Sequence, residues 1–255
     1  MAPILLNGNE LTIKQVCAIA LYGTDIVLCE EAMGRVADAH AFVQQLARDG
    51  AVVYGVTTGF GQNANRVVRE PENALALQRN LVLSHAVGVG DPLGHEAVRA
   101  MMAIRINTLL IGHSGVAPST VRLLAECLVR GVLPVVPSQG SVGASGDLCP
   151  LAHIALLVLG EGPAEVRQPD GTYRRTTAVE ALAEIGASPV RLSYKEGLAL
   201  INGTTMMAAL GCLAVFRAEK LLRGAVRCGA LAFEALCARG AAFDKRIHEV
   251  RRHKH

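Results

Sequence analysis

The reading turns on Gly140-Ser141-Val142-Gly143-Ala144-Ser145-Gly146-Asp147-Leu148-Cys149-Pro150. Three glycines and two serines fall in its first seven residues, and an apolar run with His153 inside it continues to Leu159. Taken by itself this is a flexible loop leading into a helix. Asp147 would be the N-cap and Pro150 would sit in the first turn. Commoner motif readings fail here and elsewhere in the chain. A nucleophile elbow needs G-x-S-x-G, but Gly143-Ala144-Ser145-Gly146-Asp147 has an aspartate in fifth place. The G-K-[ST] of a phosphate loop is absent. Gly88-Val89-Gly90-Asp91-Pro92-Leu93-Gly94 is one residue too long for a dinucleotide fingerprint, and His248-Glu249 is followed by His253 where a zincin helix needs a histidine at 252.

On both sides of this stretch the dominant period is helical. Thr12-Ile13-Lys14-Gln15 and Thr177-Ala178-Val179-Glu180 are capping boxes, in which two side chains satisfy free backbone N–H groups reciprocally. Val98, Met101, Met102, Ile106, Leu109 and Leu110 share a helix face that stops near Gly112. Pro118 opens a helix carrying Val121, Leu124 and Leu128 that ends at Gly131. Residues 204–238 read as one long helix or two joined ones. Arg217, Lys220, Arg223 and Arg227 lie on one face and apolar residues on most of the rest. Strand signals are sparse: Ala51-Val52-Val53-Tyr54 reads as a short strand, and Pro169-Asp170-Gly171 as the turn of a small hairpin within residues 166–173. The expectation is a mainly α chain with a small β-hairpin.

Composition narrows the function. A chain of 255 residues makes one large domain or two small ones. With 51% hydrophobic and only 18% charged residues it can bury a core, which excludes a disordered chain. A net charge of +3, four Tyr, five Phe and no Trp supply neither the basic footprint nor the stacking platforms of a nucleic-acid binder. Seven cysteines without a C-x-x-C pair read as reduced thiols in the cytoplasm, and no metal site is expected. Asn7 and Glu10 come too early for a signal peptide, and the apolar run ending at Leu159 is well short of the roughly 20 residues of a membrane span.

Three further segments matter. Tyr54-Gly55-Val56-Thr57-Thr58-Gly59-Phe60-Gly61 sets a phenol in a glycine-rich loop. Asn80-Leu81-Val82-Leu83-Ser84-His85 places a histidine on an apolar helix, ordinarily an interior residue. Lys195-Glu196-Gly197-Leu198-Ala199-Leu200-Ile201-Asn202-Gly203-Thr204 ends on an Asn-Gly pair, ordinarily a helix boundary.

In this order the four segments resemble the aromatic amino acid ammonia-lyases and aminomutases, a family that includes histidine, phenylalanine and tyrosine ammonia-lyases. The likeness runs from about residue 4 to residue 253. It implies a prosthetic-group domain over residues 1–190 and, over 191–255, the start of a long-helix bundle. It also implies that Ala144-Ser145-Gly146 cyclise to 4-methylidene-imidazol-5-one, so that no exchangeable cofactor is needed. By the same resemblance Tyr54 is the base that removes the β-proton of an aromatic amino acid. Asn202 contacts the prosthetic group and substrate, Gly61 offers backbone near the substrate, and Ser84 and His85 lie over the substrate ring. A histidine at 85 is shared with histidine-using and some tyrosine-using members, while Thr57 and Ala64-Asn65-Arg66 look more like tyrosine or phenylalanine enzymes. Histidine is placed ahead of tyrosine as the substrate, and a 2,3-aminomutase stays open.

Family enzymes are about twice as long. Their second half brings a further catalytic tyrosine, an arginine for the substrate carboxylate and a glutamate or glutamine near the ring, and the full-length form is expected to be a homotetramer. The chain alone is therefore expected to be inactive, and a non-catalytic module of the same fold is the reading from a different class.

Overall fold

The computed structural model describes residues 2–59, 61, 71–143 and 146–251. The elements run β1 (Ile4–Leu6), α1 (Ile13–Tyr22), β2 (Ile26–Leu28), α2 (Glu30–Arg48), α3 (Pro71–His85), β3 (Val89–Pro92), α4 (His95–Leu109), α5 (Pro118–Arg130), β4 (Val132–Pro134), β5 (Pro137–Gln139), α6 (Leu148–Leu159), β6 (Pro163–Arg167), β7 (Tyr173–Thr177), α7 (Ala178–Glu184), α8 (Glu196–Ile201), α9 (Thr205–Ala235) and α10 (Lys245–Val250), with a 3-10 turn at Gly240–Phe243. The chain is mainly helical, as its periodicity requires.

Local signals set most helix ends. Thr12 Oγ1 accepts the Gln15 N–H while Gln15 Oε1 accepts the Thr12 N–H, which starts α1. Thr177 and Glu180 do the same for α7. Pro118 opens α5, and Gly131, at φ 71, closes it in the left-handed region that glycine enters without strain. The buried centre is α4, where Met101, Met102, Ile106 and Leu109 are fully enclosed. Burying such side chains stabilises the fold by roughly 1.5–3 kcal/mol each.

The hairpin expected near Pro169-Asp170-Gly171 is β6–β7, antiparallel from Pro163↔Thr177 to Arg167↔Tyr173, and β4 pairs with β6 to make three strands. Two more short pairings accompany it: β1–β2, parallel, and β3–β5, antiparallel. Residues 51–54 are not a strand. Thr57 Oγ1 accepts the Val53 N–H at 2.9 Å and donates to the Ala51 carbonyl, so a side chain takes the backbone groups a ladder would use. None of the seven cysteines forms a disulfide.

The chain divides into a large compact unit, Met1–Leu213, and a smaller one, Ala214–His255. In the smaller unit Leu221, Leu222, Val226 and Leu231 are all exposed. By length and composition alone the segment Glu196–Ala235 is apolar enough to cross a membrane, a test that core helices of soluble proteins also pass.

Candidate functional site

The glycine-rich loop is held by an aspartate that does not do what its position suggests. Asp147 immediately precedes α6, yet its side chain makes no capping bond to that helix. Its Oδ2 instead accepts the N–H of Met207, in the first turn of α9, at 2.9 Å, and its Oδ1 accepts the Ser141 hydroxyl at 2.5 Å. The Asp147 N–H donates to the Gly203 carbonyl at 2.5 Å. Asp147 is completely buried. A desolvated carboxylate is tolerated there because a helix N-terminus supplies free N–H groups and the positive end of the helix dipole.

Gly146 is pressed against the same turn. Its φ is +133, and a Cβ on it would lie 2.9 Å from both the N and the O of Gly203, so only glycine fits. Behind Gly203 stands Arg105 of α4. A Cβ on Gly203 would meet Arg105 Nη1 at 2.7 Å, and Arg105 Nη2 donates to the Ala199 carbonyl. Arg105 is 3% exposed, and burial lowers its pKa to about 10. At the loop's start, Gly140 (φ +153) has no room for a side chain, since a Cβ would meet Cys149 Sγ at 2.5 Å and Gly88 Cα at 3.3 Å. The Gly88 N–H donates to His153 Nε2 at 3.2 Å, and burial pushes the His153 pKa down. The loop thus lies where three helix ends meet: the exit of α3, the start of α6 and the end of α8.

Besides Gly146, three of the residues expected from sequence sit at this junction: Asn202, His85 and Ser84. Asn202 is the C-cap of α8, exposed, with its own N–H bonded to the Leu198 carbonyl at 3.0 Å. Its neighbour Gly203 is the residue that Gly146 touches. His85 ends α3, half-buried. Its Nδ1 lies 2.8 Å from the Leu81 carbonyl, so in the neutral ring Nδ1 carries the proton and Nε2 is left as an acceptor. Ser84 Oγ donates to the same carbonyl at 2.9 Å. Tyr54 and Gly61 form a second cluster: the phenol oxygen accepts the Gly61 N–H at 3.3 Å, and Tyr54 is 57% exposed. Ala144 and Ser145, and likewise Ala64, Asn65 and Arg66, lie outside the described residues.

Sequence reasoning missed Arg105 and, though it put Asp147 at the N-cap position of α6, missed that its side chain serves α9. The signal for Arg105 was a cation on the apolar Met101–Ile106 face with no acid at helical spacing. Glu196 was quoted without a role, and it proves to be a buried brace. Its Oε1 accepts the Ala117 N–H and the Thr120 hydroxyl, each at 2.9 Å, and its Oε2 accepts the Ser193 N–H at 2.7 Å. Among the described residues no group of three or more His, Cys, Asp or Glu is placed to hold a metal ion.

This helical core with a glycine-rich loop locked between helix ends is the fold of the ammonia-lyases. It matches the crystal structure of histidine ammonia-lyase from Trypanosoma cruzi with a TM-score of 0.91 and 39% identity, over 99% of this chain and 48% of that one. It matches the phenylalanine aminomutase of Pantoea agglomerans with a TM-score of 0.87 and 32% identity, over 98% of this chain and 47% of that one. The chain belongs to the aromatic amino acid lyase family, whose profile matches residues 11–255. The histidine ammonia-lyase of Treponema denticola is 45% identical over 252 residues, 99% of this chain and 48% of the relative. That of Gloeobacter violaceus is 47% identical over 251 residues, 98% of this chain and 48% of the relative. The chain therefore spans about half the length of the curated relatives it matches.

Proposed function

We propose that the chain carries the prosthetic-group half of an ammonia-lyase that takes an aromatic L-amino acid, histidine first, to the α,β-unsaturated acid and ammonia. The observation that carries this is the packing of Gly146 onto Gly203, with Asp147 buried beside it. That packing puts a residue of the Ala144-Ser145-Gly146 triad one position away from Asn202. The residues present fit a 4-methylidene-imidazol-5-one. Gly146 and Gly143 both have left-handed backbone (φ +133 and +71), as a compressed turn requires.

The chemistry asks for three things from the chain. Elimination from an amino acid needs the poor amine leaving group activated, and when formed the methylidene-imidazolone supplies the electrophile for that. The β-proton needs a base, and Tyr54 is the phenol assigned to it. The Gly61 N–H bonds its oxygen at 3.3 Å and so orients the phenol. The ring needs a partner, and His85 Nε2, left as an acceptor by the Nδ1 contact, suits the N–H of an imidazole or the hydroxyl of a phenol. Asn202 orients the amine side of the substrate. The 43–47% identity to histidine ammonia-lyases favours histidine. The structural likeness to a tyrosine aminomutase of Streptomyces globisporus, TM-score 0.78 and 38% identity, keeps the amino shift on tyrosine as the second reading.

The cytoplasm is the proposed compartment and a homotetramer the proposed assembly of the full-length form, with an amino acid as the small-molecule partner. Intact-mass spectrometry tests the core of the proposal: the chain should weigh two waters less than its sequence. An unmodified mass would favour a non-catalytic module. Ultraviolet absorbance of an unsaturated acid, followed with histidine and then tyrosine as substrate, tests the rest. The isolated chain is expected to release little or none.

A further inference from the structure

Arg105 is a cation that the proposed reaction has not used. It is 3% exposed, and among the described residues no carboxylate pairs with it. Its Nε has no hydrogen-bond partner. Leaving a buried donor unmade is costly, and an apolar side chain of similar length would fill the space without that cost. The guanidinium nevertheless stands directly behind Gly203, with Nη2 bonded to Ala199 in the last turn of α8. Gly203 in turn accepts the Asp147 N–H and meets Gly146 face to face. Gly203 therefore stands between the buried guanidinium and Gly146, the residue whose nitrogen must close the ring.

We infer that Arg105 is a positioning residue for ring closure: it holds the Asn202–Gly203 turn as a fixed platform under Gly146 and biases that amide toward attack. The inference rests on the proposed function above. The step it serves balances without an oxidant or reductant. A bond forms between the Gly146 nitrogen and the Ala144 carbonyl carbon. The carbonyl oxygen leaves as water with the amide hydrogens of Gly146 and Ser145. The Ser145 hydroxyl leaves with its Cα hydrogen as the second water.

Three variants of the chain test this by intact mass over time, with thermal unfolding run in parallel. Arg105→Met keeps the length and removes the charge. It should fold cooperatively yet cyclise roughly tenfold more slowly than the unaltered chain, a barrier change of about 1.4 kcal/mol. Arg105→Lys should recover part of that loss. Gly203→Ala keeps the charge but puts a Cβ where the guanidinium lies, and it should slow cyclisation too. A folded Arg105→Met that loses its waters at the unaltered rate overturns the inference and leaves the proposed function standing. Should Arg105→Met fail to fold, a Gly203→Ala chain that cyclises normally overturns it instead. An unaltered chain that never loses two waters sinks the inference and the proposed function together.

Discussion

The loop at Asp147 and the turn at Tyr54 carry two halves of one proposed reaction, and they are built in opposite ways. Asp147 is fully buried, and its bonds reach 6 residues back to Ser141 and 60 residues forward to Met207. Tyr54 is 57% exposed, and its phenol accepts the N–H of Gly61, seven residues on. The first region buries its functional side chain in the core, and the second holds its phenol at the surface. The lesson is about division of labour. A group made from backbone must be held rigid before any chemistry starts, whereas a base that meets an arriving substrate can sit at the surface.

The contrast is sharpest in what substitution should cost. Asp147→Ala leaves the Ser141 hydroxyl and the Met207 N–H without their acceptor and should destabilise the chain by about 3 kcal/mol, measured by urea unfolding. A loss under about 0.5 kcal/mol, the level of an ordinary surface change, would mean the buried cap is not what holds the loop. Gly146→Ala comes next. It forces a Cβ into the Gly203 backbone at a φ of +133, and a loss of about 2 kcal/mol is expected together with an unmodified mass.

His153, behind the loop, gives a pH effect of definite sign. Its folded pKa is lowered by burial from 6.5, so between the two values the unfolded chain binds more protons. The stability it contributes is whole above pH 6.5 and declines as the pH falls through the window below it. His153→Gln should flatten that decline in thermal melts between pH 7 and 5, and an unchanged slope would assign the acid sensitivity elsewhere. Tyr54→Phe should do least, moving stability by no more than about 0.5 kcal/mol. A larger shift would erase the contrast between the two regions.

What could be read from sequence follows the range of each interaction. The caps at Thr12 and Thr177 were legible because donor and acceptor lie three residues apart, and the β6–β7 hairpin because Pro169-Asp170-Gly171 closes it locally. The pairings β1–β2 and β3–β5 were not. Strands of three or four residues leave almost no pattern, and their partners meet only after folding. Val53 read as strand because its neighbours are apolar, but Thr57 outcompeted the ladder for its N–H. Asp147 was placed at the N-cap position of α6, which it occupies, but its side chain was not legible as the cap of α9, a helix that starts 58 residues later. Gly146, His85 and Asn202 were legible as candidates only through their motifs. That the helix ends carrying them converge on one loop is a property of the packing of α3, α6 and α8.

The cap of α9 has a consequence for biosynthesis. A ribosome delivers Asp147 long before it delivers Gly203 and Met207, so during translation that carboxylate has only the Ser141 hydroxyl and solvent for company. The nascent segment cannot acquire its final tightness until the first turn of the later helix has emerged and threaded its amides onto the waiting oxygen.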